Sequence, residues 1–212
     1  MELAKNCAKQ LLNIKAIKLS PSEPFTWTSG LKSPIYCDNR KTLSYPAVRT
    51  AIRDGLAEMV KTHYPDAEVI AGVATGAIAQ GALVAECLGL PFVYVRSEEK
   101  KHGLTNMVEG VVESGQKVVV IEDLVSTGQS SLKAVQALRD MGCEVLGMVA
   151  IFTYNFSIAQ QRFEEANVSL HTLTNYNILV KEAVNENYVK DSEMETLNQW
   201  SNNPAAWAEQ FK

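Results

Sequence analysis

The residues best suited to chemistry follow an apolar run in the second half of the chain, Val118–Ile121. Glu122 and Asp123 come directly after it, and two adjacent carboxylates cannot both be buried without partners. Hydroxyl side chains and Gly128 then lead into a helical pattern. Free N–H groups and the dipole at the start of a helix attract phosphate. The carboxylates would repel that phosphate unless they faced ribose hydroxyls or a magnesium ion, so the segment predicts a site for a phosphorylated ribose.

Two commoner phosphate-binding motifs are missing from the sequence. It has no GxxxxGKS or GxxxxGKT, which excludes a nucleoside-triphosphatase loop, and no GxGxxG, which leaves a dinucleotide-binding fold without support. The alternative without function is a strand that ends in an acidic turn, with a serine capping the next helix. Any two of these features would favour that alternative. The complete series of apolar run, acidic pair, hydroxyl-glycine loop and helix favours the phosphate site.

A second candidate is a cationic cluster in RSEEKKHG, where Arg96, Lys100, Lys101 and His102 fall close together. The chain carries a net charge of -4, so this local positive charge stands out and is suited to a small polyanion. A solvated surface loop is the alternative that the charges alone would favour. The stretch 95–116 shows neither a strand nor a helix pattern. A loop of that length in a compact domain is usually functional or disordered.

The elements around these residues alternate between apolar runs and helical patterns. Uninterrupted β-branched runs separated by helices indicate a parallel sheet covered on both faces. The predicted fold class is therefore α/β, with a central, mostly parallel sheet flanked by helices and with ligands at the carboxyl ends of the strands. The predicted strands are Val69–Val73, Pro91–Val95, Lys117–Ile121 and Glu144–Phe152, and the predicted helices are residues 2–16, 45–62, 78–88 and 132–141.

The two ends of the chain look different from this core. Near the N-terminus, SPSEPFTWTSGLKSPIY is rich in proline, serine and glycine, which predicts short strands and turns outside the main core. After Asn175 we find no motif, and Trp200 and Trp207 are expected to pack against the domain. The sequence has no internal repeat, low-complexity tract or linker, which predicts a single domain.

Composition excludes several classes of protein. The chain is 46% hydrophobic, enough for a substantial core. Its cysteines, Cys7, Cys37, Cys87 and Cys143, lack metal-ligand spacing and suit a reducing cytosol. The acidic net charge argues against a nucleic-acid partner. The sequence has neither a secretion signal nor an apolar stretch long enough to cross a bilayer, so we expect a cytoplasmic protein without a membrane partner.

The segment VVVIEDLVSTGQSS (118–131) resembles the signature of the type I phosphoribosyltransferases, which bind 5-phosphoribosyl 1-diphosphate (PRPP). The resemblance implies that Glu122 and Asp123 hold the ribose hydroxyls, with Asp123 among the catalytic residues, and that the following loop wraps the 5′-phosphate. Gln129 departs from the family pattern, in which a smaller residue is frequent. The PRPP-binding residues implied in this segment are Glu122, Asp123, Leu124, Val125, Ser126, Thr127, Gly128, Gln129 and Ser130.

The segment RSEEKKHG (96–103) resembles the mobile catalytic loop of the orotate phosphoribosyltransferases, which has the form R-x-E-x-K-x-H-G. This resemblance implies that Arg96, Lys100 and His102 contact the diphosphate half of PRPP, and that Lys100 and His102 are catalytic. It also implies a homodimer in which the loop reaches into the neighbouring subunit's site. Cations and a proton-donating imidazole would stabilise the charge on the leaving diphosphate. A closing loop would exclude water.

The resemblance extends over nearly the whole chain and implies a single domain, 1–212. Residues from about 1 to 40 would form an N-terminal helix and a hood over the pyrimidine, as in FTWTSGLKSPIYCDNR. The core would span about 65–175, with the mobile loop near 96–115. GVATGAIA (72–79) matches the loop after the first core strand, where backbone amides meet diphosphate.

Orotate itself needs a partner for its carboxylate. Ser126, which matches a threonine in relatives, is the best candidate for a direct orotate contact. Lys32 and Arg40 could help to neutralise the carboxylate, although the sequence alone favours a solvated basic residue at each position. Some members of the family carry a lysine where this chain has Thr28 and another where it has Gly76. An arginine found after the strand that follows the signature helix is also absent, since that stretch reads AIFTYNF.

The resemblance therefore implies a magnesium-dependent enzyme that transfers the ribose 5-phosphate group from PRPP to orotate. The products would be orotidine 5′-monophosphate and diphosphate. A phosphoribosyltransferase for a purine base is the nearest alternative, because it shares the PRPP signature but is not expected to carry RSEEKKHG. A regulator that senses PRPP without catalysis is the second, and the intact acidic pair and the loop histidine count against it.

Overall fold

The computed structural model describes residues 2–27, 29–97 and 107–211, and its elements are numbered here in chain order. The strands are β1 (Ile17–Leu19), β2 (Phe25–Thr26), β3 (Lys32–Ser33), β4 (Ile35–Cys37), β5 (Val69–Val73), β6 (Phe92–Val95), β7 (Val108–Glu109), β8 (Lys117–Val125), β9 (Glu144–Thr153) and β10 (Leu170–Asn175). The α-helices are α1 (Glu2–Asn13), α2 (Pro46–His63), α3 (Ile78–Leu88), α4 (Gln129–Asp140), α5 (Ser157–Glu165), α6 (Tyr176–Asn185), α7 (Met194–Asn202) and α8 (Pro204–Ala208). Short 3-10 helices span Asn39–Ser44, Asp191–Glu193 and Glu209–Phe211.

Strands β5 to β10 form one six-stranded sheet in the order β10-β9-β8-β5-β6-β7. Neighbouring strands are parallel except for β6 and β7, which pair antiparallel. Parallel neighbours need crossover connections, and α3, α4 and α5 supply three of them. The predicted α/β architecture with a mostly parallel central sheet is confirmed.

Helices cover both faces of this sheet. Along β8, Val119 and Ile121 pack with residues of α1, α2 and α6 on one face. Val118 and Val120 pack with residues of α4 and α5 on the other face. All four valine and isoleucine side chains are fully buried. A strand buried on both faces needs apolar residues at every position, which explains the uninterrupted run in the sequence.

The strand that carries the acidic pair is longer than predicted. It continues past Ile121 to Val125, because Glu122 pairs in register with Ala150 of β9 and Val125 pairs with Thr153. The prediction that the carboxylates follow the strand was wrong, since they lie inside its last part. An apolar pattern cannot reveal this extension, because the hydrogen bonds of the sheet rather than the side chains hold it.

Two other boundaries also differ from the sequence prediction. The first helix ends at Asn13 instead of residue 16, and Lys15 adopts a left-handed backbone with φ 54°. The stretch 95–116, predicted to be without regular structure, contains β7, in which Val108 pairs with Val95. Residues 98–106 of that stretch lie outside the described residues.

The N-terminal segment forms two small antiparallel sheets, β1 with β4 and β2 with β3, so the predicted short strands are confirmed. The prediction that this segment lies outside the main core was wrong at Ile35, which is fully buried in the same hydrophobic cluster as Val119 and Ile121 because β4 packs onto the core. The indole nitrogen of Trp27 donates to the carbonyl of Ile35 over 3.0 Å and joins the β2–β3 hairpin to β4. We call residues 17–44 the hood. The 3-10 helix at its end, Asn39–Ser44, leads into α2 and contacts β8.

The C-terminal segment packs against the hood and the core, which confirms the expectation for its two tryptophans. Trp207 is 2% exposed and Trp200 is fully buried. The Trp200 ring lies 5.8 Å from the Trp27 ring of the hood and 5.6 Å from the ring of Tyr154, which follows β9. Throughout the described ranges, no helix combines the length and the apolar character that a membrane span requires.

Candidate active site

A cavity of about 480 Å³ lies at the carboxyl ends of β5 and β8, where parallel sheets bind ligands. Residues of the hood, the loop after β5 and the segment that ends β8 line it together. A larger groove of about 1010 Å³ lies beside α5 and β10, but Glu164 is the one charged side chain among the described residues that line it. We therefore place the site in the smaller cavity. Its described lining consists of Cys37, Asp38, Arg40, residues 73–76, Glu122, Asp123, Leu124, Ser126, Thr127, Gly128 and Ser130.

The acidic pair sits at the base of this cavity. Glu122 is 4% exposed, and its carboxyl accepts hydrogen bonds from the Ser131 hydroxyl over 2.8 Å and from the backbone N–H of Asp123 over 3.0 Å. Ser131 belongs to the first turn of α4, so the helix that follows residues 126–128, the predicted phosphate loop, also positions the carboxyl group of Glu122. Asp123 is half-buried and faces the cavity.

Burial decides the charge of this pair. Removal from water, and after it the charge of the neighbouring Asp123 carboxylate, raise the pKa of Glu122 to about 8. Burial also raises the pKa of Asp123, although its bond with Glu122 and the charge of Arg40 oppose that rise. The two carboxyls therefore compete for one proton, and deeper burial favours Glu122 as the one that holds it. Ribose hydroxyls or a cation that approached Asp123 would meet the ionised member of the pair.

A buried network fixes the backbone at Asp123. The side-chain amide of Asn39 donates to the carbonyl of Asp123 over 2.6 Å. The Thr42 hydroxyl donates to the carbonyl of Asn39, and the amide of Gln80 on α3 donates to the Thr42 hydroxyl. Asn39, Thr42 and Gln80 are all buried, and the Gln80 Oε1 atom has no partner among the described residues. The hood and α3 thus hold the acidic pair from the side opposite to α4.

The loop between β8 and α4 has the geometry that an anion requires. Gly128 precedes α4 with φ 76° and ψ -6°, a left-handed conformation that favours glycine. No described side chain caps this helix, so the N–H groups of its first turn stay available to a ligand. Arg162 of α5 donates to the carbonyl of Thr127 over 2.9 Å and supports the loop from behind. Ser126, Thr127 and Ser130, which the sequence predicted to bind phosphate, all lie in the lining of the cavity.

The loop after β5 approaches the acidic pair closely. It contains a cis peptide bond between Ala74 and Thr75. A Cβ atom at Gly76 would collide with the carboxyl group of Asp123. Where some members of the family carry a lysine, this chain has Gly76, and its backbone and Asp123 occupy the space that a side chain would need. A side chain at position 76 would therefore require the Asp123 carboxyl group to move.

The predicted site residues are placed unequally around the cavity. Arg96, at the end of β6, pairs with Glu109 of β7 over 3.6 Å and is not part of the described cavity lining. Val125 is fully buried in the core, so any contact with PRPP goes through its backbone. Gln129 is exposed and lies beside the described lining, not within it. Lys32 donates to the hydroxyl of Thr26 within the hood hairpin, also away from the lining.

Three residues that matter for prediction lie outside the described residues: Lys100, His102 and Thr28. Their predicted roles therefore stay predictions.

Several supporting residues were missed by sequence reasoning. Asn39, Ser131 and Arg162 hold the acidic pair and the phosphate loop, yet none was predicted as a site residue. Cys37 also lines the cavity, and burial followed by the charge of Asp123 raises its pKa well above the ordinary value, so its thiol is neutral. The signal for Asn39 was its place in CDNR beside Arg40. Arg162 had no signal, because its contact joins α5 to a loop far away in sequence.

Comparison with known proteins gives concordant matches. Residues 42–187 match the family described as phosphoribosyl transferase domain. A relative from Cytophaga hutchinsonii named orotate phosphoribosyltransferase is 55% identical over 207 residues, covering 98% of this chain and 99% of that protein. A relative of the same name from Porphyromonas gingivalis is 58% identical over 205 residues, covering 97% of this chain and 98% of its own length. The crystal structure of orotate phosphoribosyltransferase from Aeropyrum pernix matches with a TM-score of 0.74 and 28% identity, covering 86% of this chain and 98% of that one.

Proposed function

The chain belongs to the phosphoribosyltransferases and, within them, to the orotate phosphoribosyltransferases, and from this premise we propose that it makes orotidine 5′-monophosphate from orotate and PRPP in pyrimidine biosynthesis. The observation that carries the proposal is the joint placement of the Glu122–Asp123 pair and the uncapped start of α4 in one cavity. A phosphorylated ribose needs both, because its hydroxyls donate hydrogen bonds to carboxylates and its phosphate accepts hydrogen bonds from free N–H groups. The relatives at 55% and 58% identity favour orotate as the acceptor.

The reaction replaces one bond at the anomeric carbon. A ring nitrogen of orotate forms a bond to this carbon and loses its proton, while the carbon–oxygen bond to diphosphate breaks and the electron pair leaves with diphosphate. The sugar passes through an oxocarbenium-like state. Residues Ser126 to Ser130 anchor the 5′-phosphate, and Glu122 and Asp123 orient the ribose hydroxyls. Catalysis comes mostly from this positioning and from charge stabilisation rather than from a covalent intermediate.

The charge that grows on the leaving diphosphate needs cations. We propose Arg96, Lys100 and His102 for this role, as the resemblance of RSEEKKHG implies. The backbone at Thr75 and Gly76 lines the same cavity, and we propose that its N–H groups donate to diphosphate, whereas the N–H of Ala74 already donates to the carbonyl of Val95. Such groups stabilise the transition state more than the bound substrate, because the charge develops only as the bond breaks.

Magnesium fits the donors that the site offers. The Asp123 carboxylate, which faces the cavity, is a hard oxygen donor of the kind that this ion prefers. Among the described residues no three histidine, cysteine, aspartate or glutamate side chains are grouped to hold a metal ion. As the family resemblance implies, the ion would be held through PRPP, next to Asp123. When bound, the ion would screen the negative charge of the leaving group.

A direct assay separates this proposal from its alternatives. Purified protein with PRPP and magnesium is offered orotate and a panel of purine bases, and release of diphosphate is followed. Among these bases we expect orotate to be the only one that is turned over. Turnover of purines without orotate would establish the purine-type alternative, and PRPP binding without any turnover would establish the regulator.

The catalytic role of the loop is tested separately. Replacement of Lys100 by Ala should cut turnover severely, because the loop cation acts on the transition state. The Tm measured without PRPP should stay unchanged. Lys181→Ala is the matched control, because Lys181 lies on α6 and is not in the described lining of the cavity. An unaffected rate in Lys100→Ala would remove the loop from the mechanism.

We also propose a cytoplasmic homodimer in which each loop 96–103 serves the neighbouring subunit's site. Two inactive variants can test this arrangement by mixing. Lys100→Ala lacks the loop cation and Asp123→Asn lacks the ribose carboxylate. A mixed dimer that shares loops has one site with both groups intact, so activity should return on mixing. Mixtures that form dimers but stay inactive would show that each loop serves its own subunit.

A further inference from the structure

The charges that line the cavity do not by themselves balance the charges of the substrates in the proposed function. Its described lining contains three carboxyl side chains, Asp38, Glu122 and Asp123, and a single cationic side chain, Arg40. Both substrates of the proposed reaction are anions. PRPP is expected to meet helix N–H groups at the start of α4 and the backbone of the loop 74–76. The carboxylate of orotate has no such partner, and the hydroxyl of Ser126 cannot neutralise it.

Arg40 has the free donors that this carboxylate needs. Its side chain is 61% exposed, and its Nε atom donates to Asp38 over 2.7 Å. The two terminal nitrogens of the guanidinium have no partner among the described residues. The bond at Nε leaves them as a paired donor edge that matches the two oxygens of a carboxylate. Asp38 is 17% exposed and therefore acts as a fixed anchor for the arginine.

Arg40 also lies in the hood next to Asn39, the residue that bonds to the backbone of Asp123. It follows β4 in the hood, at the start of the 3-10 helix whose first residue, Asn39, bonds to Asp123. The guanidinium of Arg40 and the carboxyl group of Asp123 line the same cavity, and the positive charge of Arg40 opposes the rise in the pKa of Asp123. Lys32, the other candidate from the sequence, donates to Thr26 and is not part of the described lining.

We propose that Arg40 binds the carboxylate of orotate and makes this carboxylate a condition for efficient use of the base. The inference rests on the proposed function and deepens it. It explains how the chain manages without the lysine that some relatives carry at Thr28 and without the arginine missing from AIFTYNF. Asp38 is the positioning residue for this contact, because it holds the guanidinium from the Nε side.

The test compares Arg40→Gln, Arg40→Lys and the unaltered chain in steady-state kinetics. We expect Arg40→Gln to raise the KM for orotate by about 10- to 100-fold, the loss typical of a hydrogen bond to a charged group, with the KM for PRPP unchanged. Arg40→Lys should fall between, because it keeps the charge but loses the forked donors. The preference for orotate over uracil, which is the same ring without the carboxylate, should shrink in both variants.

Arg53→Gln is the matched control, since Arg53 is paired with Asp54 on α2 and is not in the described cavity lining. Its kinetics should equal those of the unaltered chain. An unchanged KM for orotate in Arg40→Gln would overturn the inference, and so would a rise confined to PRPP, which would assign Arg40 to diphosphate. Absence of orotate turnover by the unaltered chain would instead overturn the proposed function, and the inference with it.

Discussion

The side-chain amide of Asn39 donates to the backbone carbonyl of Asp123 over 2.6 Å, although 84 positions separate the two residues. This bond joins the hood to the end of β8. It fixes the peptide that follows one carboxylate, while Ser131 fixes the other carboxylate from α4. The acidic pair is therefore held by two elements that sequence alone does not bring together.

Replacement of Asn39 by Ala should weaken both the fold and the site. The carbonyl of Asp123 loses its donor in a buried place, which costs about 1–3 kcal/mol of stability. The KM for PRPP should rise because the ribose carboxylate is no longer fixed. Asn203→Ala is the matched control, since Asn203 caps α8 by accepting from Ala206 at a distance from the cavity. Equal effects of both variants on the KM for PRPP would show that Asn39 is merely structural.

The raised pKa of Glu122 predicts how stability depends on pH. Burial and then Asp123 raise this pKa from 4.5 to about 8 in the folded chain, so between these values the folded state binds more protons than the unfolded state. The stability that protonated Glu122 contributes is complete below the lower value and is lost as pH rises through about 8. The difference in Tm between Glu122→Gln and the unaltered chain, measured without substrates, should therefore shift in favour of Glu122→Gln as pH rises across this window.

The matched control for this pH effect is Glu164→Gln, because Glu164 lies on the exposed side of α5. Thermal melts at several pH values should give a nearly constant difference in Tm between this control and the unaltered chain. A Tm difference for Glu122→Gln that stayed constant with pH would show that Glu122 is ionised in the folded protein.

Arg162 should affect PRPP binding indirectly, through the loop that it supports. Its guanidinium donates to the carbonyl of Thr127, so Arg162→Ala should loosen the phosphate loop and raise the KM for PRPP by about 3- to 10-fold, with a smaller change in kcat. Arg139→Ala is the control, because Arg139 makes the same kind of bond to the carbonyl of Ala166 outside the described lining. A KM for PRPP that rises equally in both variants would contradict a specific role for Arg162.

Gly128 combines a left-handed backbone with a close neighbour. A Cβ atom at this position would lie 2.9 Å from the ring of Phe163. Gly89 has a similar φ of 69°, but a Cβ atom there would have nothing within 4 Å. Gly89→Ala should cost about 1–2 kcal/mol from backbone strain alone. Gly128→Ala should cost more and should also weaken PRPP binding, measured by calorimetry, whereas equal costs and unaltered PRPP binding would contradict the role of the Phe163 contact.

The sequence determined much of this protein because its strongest signals are local. The apolar run Val118–Ile121, rich in β-branched residues, is typical of a strand buried on both faces, and the hydroxyl-glycine loop with the helix after it needs no distant partner to attract phosphate. The core elements from Pro46 to Thr153 accordingly lie close to where the patterns predicted them.

Tertiary structure alone decided what surrounds the acidic pair. The extension of β8 to Val125 depends on hydrogen bonds to β9, and the bonds from Asn39, Ser131 and Arg162 join elements far apart in the chain. The charge of Glu122 and the role of Arg40 likewise depend on which residues the fold places in one cavity. Burial, hydrogen bonding and charge act through distances in space, and a sequence pattern records only distances along the chain.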